Sequence, residues 1–220
     1  MNAAAVPELP LPRTRPLTRK GSHTREAILA KAMDIASVDG LDGLTIGSLA
    51  EALEMSKSGL FAHFGSKEEL QLATIQAARG FFAREVMVPG LQAKKGLPRL
   101  CSVIGAWLDY AQREVFQGGC FFTAVAAEFD SRPGPVKDSV AACMQEWVDA
   151  LARLLREAKE LGELDRRAPA DQLAWEFNSL AMGANSAYQL QRDTIVFTYA
   201  RRAIRDRLKG FAAAGTRVPL

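Results

Sequence analysis

The most restrictive part of the sequence is TIGSLAEALEMSKSGLFAHFGSKEEL, residues 45–70. It contains two short segments with apolar residues at helical spacing, joined by a turn of a few residues. Thr45 and Ser56 precede these segments and are typical N-cap residues, and Ser66 begins a capping box with Glu69. Two short helices in this order, the second opening on small polar and basic residues, predict a helix-turn-helix.

The second helix of this pair has the composition expected of a helix that lies in a DNA major groove, which is about 12 Å wide. Ser56, Ser58 and Gly59 keep its leading end narrow, and their hydroxyl and backbone N–H groups can reach phosphates or base edges. Lys57 adds a long cation, and Lys67 lies in the first turn of the next helix, where it can help to hold a phosphate. The residues expected to pack inward are Leu60 and Phe64, against Ile28, Ile35, Ile46 and Leu49.

Several of these residues also have an ordinary structural interpretation. Phe61 could be a core aromatic, His63 a solvated or capping residue, and Ser58 an exposed serine without a partner. The combination is more specific than any one of its members.

The segment from Arg25 to Thr74 resembles the N-terminal signature of the TetR family of bacterial transcriptional regulators, and the rest of the chain resembles that family in layout. The resemblance implies a homodimer that binds a palindromic operator, usually as a repressor that a small molecule releases. The family's DNA contacts correspond here to Thr45, Ser56, Lys57, Ser58, Gly59, Phe61, His63 and Lys67.

Two residues depart from the family pattern. Phe61 occupies a position where tyrosine is usual, so a hydroxyl that reaches a phosphate is replaced by packing against the DNA backbone. Glu54 occupies the turn position where glycine is usual. A left-handed conformation there costs a residue other than glycine about 1 kcal/mol, and the carboxylate adds a negative charge near the operator.

The fold class predicted for the whole chain is all-α, with about nine helices, because strand signals are almost absent from Thr24 onward. Ser22 or Thr24 is expected to cap the first helix and Gly40 to follow its end. A helix from Ser66 to about Val88 is expected to carry movement between the two domains. The segment PGLQAKKGLP predicts a break, followed by helices over residues 97–112, 119–129, 135–160, 170–192 and 194–213.

These elements predict four parts of the chain. Residues 1–22 form a mobile basic arm, 23–68 a three-helix DNA-binding domain with the helix-turn-helix, 69–213 a larger helical domain for ligand binding and dimerisation, and 214–220 a tail. Between Arg13 and Arg25 the chain carries five basic and no acidic residues, and the prolines of the arm favour an extended chain. It is either a solvated tail or a segment that contacts phosphates or the minor groove.

Aromatic and methionine side chains are frequent in the larger domain, and most must belong to its core. The segment GGCFFTAVAAEFD is apolar nearly all round, which predicts a buried helix beside an apolar pocket. Glu128 and Asp130 at its end are interpreted as caps or solvated carboxylates in preference to ligand anchors. The candidate lining is Trp107, Tyr110, Phe121, Met144, Trp147, Trp175 and Phe177. Because this set has no charged residue, we expect a largely apolar or aromatic effector.

The last two helices are the candidate dimer surface. Small residues in WEFNSLAMGANSAYQL permit close helix approach, and the family places these two helices in a four-helix bundle across the dimer. The stripe expected to enter that bundle consists of Ile204, Leu208 and Phe211.

Other classes of protein find little support. The three cysteines are widely spaced and unpaired with histidines, which argues against a metal site. No nucleotide loop or nucleophile–base pair indicates an enzyme, and no cofactor is expected. No apolar run approaches the ~18 residues of a membrane span, and a cytosolic protein is expected. The remaining alternative is a helix-turn-helix protein controlled by a protein partner without a small-molecule ligand.

Overall fold

The computed structural model describes residues 19–220, with side chains from His23 onward. The predicted arm at residues 1–22 therefore lies outside the described residues, except that the backbone of its last four positions is already helical. Across the described range the chain is all-α, and its one extended pairing is an isolated bridge between Leu164 and Ala212. None of the helices described is long and apolar enough to cross a membrane.

The first helix, α1 (Arg19–Gly43), begins earlier than predicted. Ser22 and Thr24 lie inside it, so the prediction that one of them caps its start is wrong. Gly40 interrupts the helix with a φ of 74° and a ψ of 168°, as expected of a helix end. One further helical turn, residues 41–43, follows this kink.

The helix-turn-helix consists of α2 (Ile46–Ala52) and α3 (Lys57–Phe64). Thr45 caps α2: its hydroxyl accepts from the Ser48 amide at 3.0 Å, and the Ser48 hydroxyl accepts from the Thr45 amide at 3.2 Å. Ser56 caps α3 by accepting from the Gly59 amide at 3.1 Å. Both caps predicted for this pair are confirmed.

The inward faces of these helices form a small core with α1 and α4. Leu60 and Phe64 of α3 are buried together with Ile28 of α1 and Leu49 of α2. Ile35 and Ile46 are partly buried against the same core. This burial leaves the polar leading end of α3 on the opposite side of the helix, facing solvent.

A long helical rod joins this domain to the rest of the chain. It begins with α4 (Lys67–Phe82), continues through a π-helical segment (Ala83–Met87) and ends with α5 (Val88–Leu91). Ser66 caps the rod by accepting from the Glu69 amide at 3.0 Å. The predicted break begins later than expected, since Pro89 fits into the first turn of α5.

Five helices follow the rod. They are α6 (Leu97–Gln112), α7 (Phe121–Phe129), α8 (Pro135–Glu160), α9 (Ala170–Gln191) and α10 (Ile195–Lys209). Counting the rod as one helix gives nine across residues 19–220, which agrees with the predicted fold. Residues 214–220 pack back onto the protein, with Val218 buried and Leu220 against the core.

The last two helices pack against each other, and this packing contradicts the prediction of an apolar surface stripe on α10. Ile204 and Leu208 of α10 are fully buried within the protomer, so they cannot form the surface stripe that was predicted. The exposed apolar residues of the pair are instead Trp175, Leu180 and Leu190 on α9, and Ile195 and Tyr199 on α10. The stripe was misplaced because helical spacing alone does not say which face packs inside the protomer.

Candidate nucleic-acid interface and helical-domain cavity

The leading end of α3 presents small polar groups to solvent. Ser56, Lys57 and Ser58 are exposed, and the Ser56 and Ser58 hydroxyl oxygens lie 3.3 Å apart. The Lys57 side chain extends over the first turn of α2, since a Cβ atom added at Gly47 would lie 3.6 Å from its Cε. The first turn of α3 contains no acidic residue. This end therefore offers hydroxyl, ammonium and backbone N–H donors to an anion.

Phe61 and His63 lie further along the same helix. The Phe61 ring is 53% exposed, which excludes its alternative as a core aromatic in this protomer. His63 is half-buried and its Nδ1 has no hydrogen-bond partner. The Phe61 ring is thus exposed on the same helix as the polar leading end, as expected of a ring that packs on a DNA backbone.

Lys67 has a protein partner that the sequence did not indicate. Its ammonium donates to the Asp42 carboxylate and to the Asp42 carbonyl oxygen, both at 2.7 Å. Arg132 donates to the same carboxylate at 3.0 Å. The hydrogen bonds from Lys67 and Arg132 lower the pKa of the Asp42 carboxyl. A phosphate at Lys67 would have to share this ammonium with Asp42.

The turn between α2 and α3 has the predicted strain. Glu54 adopts a left-handed conformation with a φ of 53°, and its side chain is exposed. The Met55 amide donates to the Ala50 carbonyl at 2.9 Å and closes the end of α2. The hydrogen bonding of the turn thus sets its backbone conformation, and Glu54 adopts the left-handed conformation that this turn requires.

The larger domain contains a cavity of about 220 Å³. The rod contributes Phe82 and Met87 to its lining, and α6 contributes Trp107. Phe122 of α7 and Trp147 of α8 complete an aromatic cluster. The Phe82 ring packs edge-on against Trp147 with centroids 5.0 Å apart, and Trp107 packs against Trp147 at the same distance. Four of the helical elements therefore meet at the cavity through aromatic rings.

Three of the seven predicted lining residues are found at this cavity, namely Trp107, Met144 and Trp147. Tyr110, Phe121 and Phe177 are buried in the core but do not line it. Trp175 is 64% exposed and lies on the outer face of α9. These four placements are corrections. Each helix has several apolar faces, and only the packing of neighbouring helices decides which one meets a cavity.

The expectation of a lining without charge is also wrong. Arg79 of α4 donates two hydrogen bonds of 2.6 Å to the Glu146 carboxylate of α8, and Arg153 lies beside them in the lining. The bonded Arg79 lowers the pKa of the Glu146 carboxyl, so the pair stays ionised. Arg79 and Glu146 lie 67 positions apart in the sequence, and no local pattern connects them.

Sequence reasoning also missed the polar residues of the lining. Thr123 and Asn178 belong to it, as do the thiols of Cys120 and Cys143. Burial raises the pKa of Cys143 to about 11, so its thiol is protonated at neutral pH. Thr123 lies next to Phe122 in a helix that the sequence predicts to be buried on several sides. A polar residue in such a helix was the one signal that could have identified Thr123 as a lining residue.

The N-terminal helices and the cavity-containing helical domain define a class of protein, the helix-turn-helix DNA-binding regulators with a second helical domain. Family models support this assignment. Residues 28–74 match the model described as "Bacterial regulatory proteins, tetR family", and residues 96–204 match "Tetracyclin repressor-like, C-terminal domain". The chain belongs to the TetR family of bacterial transcriptional regulators.

Individual relatives agree with the family. The chain is 28% identical over 181 residues to the HTH-type transcriptional regulator TcmR of Streptomyces glaucescens, covering 80% of this chain and 77% of that protein. It is 24% identical over 159 residues to the transcriptional regulator AcuR of Cereibacter sphaeroides, covering 71% and 72%. A TetR transcriptional regulator from Chloroflexus aurantiacus superposes with a TM-score of 0.82 at 25% identity, covering 89% of this chain and 98% of that one. The family and these relatives are transcriptional regulators and not enzymes.

Proposed function

We propose that this regulator is a repressor that binds a palindromic operator as a homodimer and is released by a small, mainly apolar effector. The observation that carries the proposal is the rod from Lys67 to Leu91. One end of the rod follows α3, and Phe82 and Met87 near its other end line the cavity. The proposed parts are residues 23–68 for DNA binding and 69–213 for regulation and dimerisation. Its place of action is the cytoplasm, where bacterial operators are found.

The DNA contacts belong to α3 and its flanks. Ser56 and Ser58 approach phosphates or base edges with their hydroxyl groups, and Lys57 adds a cation. Gly59, whose N–H donates to the Ser56 cap, lets the DNA approach closely because it has no side chain. Phe61 packs on the backbone through its exposed ring. The remaining proposed contacts are Thr45, His63 and Lys67. The exposure of the leading end supports this assignment.

Dimerisation uses the exposed faces of α9 and α10. Trp175 and Leu190 lie on the outer face of α9, with Gly183 between them, and Tyr199 lies on α10. A Cβ atom added at Gly183 would meet nothing within 4 Å, so a second helix can approach closely there. Two such faces bury their apolar residues against each other and set the distance between the two α3 helices.

Release follows from two mechanical links to the cavity. The rod is the first. Helix α7 is the second, because Phe122 and Thr123 line the cavity while Glu128, at the other end of the helix, hydrogen-bonds the backbone of α1. In one conformation of the dimer the two α3 helices are not spaced to fit the operator. An effector that binds more tightly to this conformation shifts the dimer toward it and away from DNA. The cavity favours this mechanism over control by a protein partner alone.

Selection of DNA from a random pool by the purified protein tests the proposal. The expected product is an inverted repeat whose half-sites are separated by about one helical turn of DNA, or a multiple of it. A Ser58→Ala, Phe61→Ala double variant, changed only at exposed positions of α3, should enrich no sequence. Enrichment of a single asymmetric site by the unaltered protein would contradict the dimeric operator.

A further inference from the structure

The cavity combines an aromatic corner with buried polar atoms that have no partner. Asn178 Oδ1, Thr123 Oγ1 and Trp147 Nε1 make no hydrogen bond within the protein. They come from α9, α7 and α8, and all three residues line the cavity. Buried polar groups in native proteins are nearly always satisfied. Three unsatisfied groups around one cavity therefore indicate a bound molecule that completes their hydrogen bonding.

The chemistry of these atoms restricts that molecule. The Trp147 indole N–H can only donate, and the Thr123 hydroxyl can donate or accept. The Asn178 amide is nine-tenths buried, and the one contact of its Nδ2 is with the Met182 sulfur at 3.4 Å, a weak acceptor. A ligand hydroxyl meets both requirements, since it donates to the Asn178 oxygen and accepts from the indole or the threonine.

The charges of the lining add a second restriction. Arg79 and Glu146 neutralise each other through two hydrogen bonds, and both side chains are partly exposed. Arg153 forms no hydrogen bond or ion pair with the described residues, although its charge acts on Glu146. The lining thus has an excess of one positive charge, on exposed side chains. An anionic group of a ligand beside these side chains stays partly hydrated, so it avoids the full desolvation free energy of a buried charge.

The size and walls of the cavity supply the third restriction. Its volume of about 220 Å³ lies below the ~300–1,000 Å³ of sites that enclose drug-sized ligands. The rings of Phe82, Trp107 and Trp147 meet edge-on around it, and Met144 and Met182 lie beside them. Aromatic faces and polarisable sulfurs suit a single planar ring.

We infer that the effector is a small aromatic acid with a ring hydroxyl. The ring lies in the corner of Phe82, Trp107 and Trp147, the hydroxyl bonds to Asn178 and to Thr123, and the carboxylate faces Arg153. This inference rests on the proposed function, because it names the effector class of the same cavity. It replaces a mainly apolar effector with a charged, hydroxylated aromatic one, since the lining carries Arg153 and three unpaired polar atoms.

Four single-ring probes test it by titration calorimetry with the full chain. They are 4-hydroxybenzoate, benzoate, which lacks the hydroxyl, phenol, which lacks the carboxylate, and toluene, which lacks both. We expect 4-hydroxybenzoate to bind about tenfold more tightly than benzoate, which loses a buried hydrogen bond. It should bind about threefold more tightly than phenol, which loses an exposed ion pair. Equal binding of toluene and 4-hydroxybenzoate, or binding of none of the four below about 1 mM, would overturn the inference.

Two matched variants assign the groups. Thr123→Val removes a hydroxyl without changing the shape of the side chain, and should weaken 4-hydroxybenzoate and phenol several-fold while benzoate keeps its affinity. Arg153→Gln should weaken the two acids about threefold and spare phenol, because an exposed ion pair contributes little. If Thr123→Val fails to fold, Asn178→Leu provides a second test, because it removes the other proposed partner of the ligand hydroxyl. Variants that weaken all four probes alike would overturn the assignment.

Release of selected operator DNA separates this inference from the proposed function. If 4-hydroxybenzoate binds with the expected pattern but operator DNA stays bound, the cavity chemistry stands and the release mechanism fails. If toluene releases the DNA and both acids do not, the release mechanism stands and the effector class is overturned.

Discussion

The Glu128 carboxylate accepts a hydrogen bond of 2.7 Å from the Leu41 backbone amide, although the two residues lie 87 positions apart. Its second oxygen accepts from the Asp42 amide, also at 2.7 Å. Gly40 interrupts α1 just before these amides, so they are the unpaired donors of the last helical turn. Glu128 of α7 thus acts as an N-cap for a helix of the other domain.

Removing this cap should destabilise the protein. We expect Glu128→Ala to lower the free energy of unfolding by about 1–2 kcal/mol, the usual cost of losing an N-cap. Urea unfolding followed by circular dichroism measures this. Glu160→Ala, at the exposed end of α8, is the matched control. A loss no greater than that of the control would mean that water replaces the carboxylate without cost.

Lys67 should contact phosphate and not bases. Lys67→Ala is expected to weaken operator and random DNA by similar factors, and to lower the slope of log affinity against log salt by about 1 per subunit. Asp42→Asn should act in the opposite direction, because Asp42 now holds the ammonium. Fluorescence anisotropy over a series of salt concentrations measures both. Selective loss of operator binding, with random DNA unaffected, would argue against this role.

Glu54→Gly should improve the turn between α2 and α3. The substitution relieves a left-handed conformation, with a φ of 53°, and removes a negative charge from the DNA-binding side. Part of this gain is offset by the greater freedom of glycine in the unfolded chain. We expect stability to stay equal or rise by up to about 1 kcal/mol, with a modest increase in DNA affinity. Clear destabilisation would show that the Glu54 side chain has a favourable role in the turn.

Gly183→Glu should separate the subunits. A Cβ atom added at Gly183 would meet nothing within 4 Å, so the protomer should fold, while the dimer would bury an unpaired charge at a cost of several kcal/mol. Sedimentation velocity should then show a monomer that has lost operator binding. Leu161→Glu changes an exposed apolar residue outside α9 and α10 and should stay dimeric. An intact Gly183→Glu dimer would place the interface elsewhere.

Local signals in the sequence predicted much of the fold. The caps at Thr45, Ser56 and Ser66 lie beside the helices they begin, and Glu54 could be recognised as strained because its turn is defined by its neighbours. The bounds of α6 and α8 also follow from nearby proline and glycine.

Features that depend on distant contacts could not be predicted in this way. Trp147 and Trp175 both lie on amphipathic helices, yet one lines the cavity and the other faces solvent. The Arg79–Glu146 and Lys67–Asp42 pairs join helices whose approach the sequence does not encode locally. The burial of Ile204 likewise depends on which face of α10 meets its neighbours.

Footprinting of the protein on its selected DNA site tests the central proposal most directly. We expect protection with two-fold symmetry, over two half-sites, by a complex that contains two chains. We also expect this protection to disappear in the Gly183→Glu variant and in the Ser58→Ala, Phe61→Ala double variant. Protection of a single half-site by one chain, or protection that survives both variants, would contradict it.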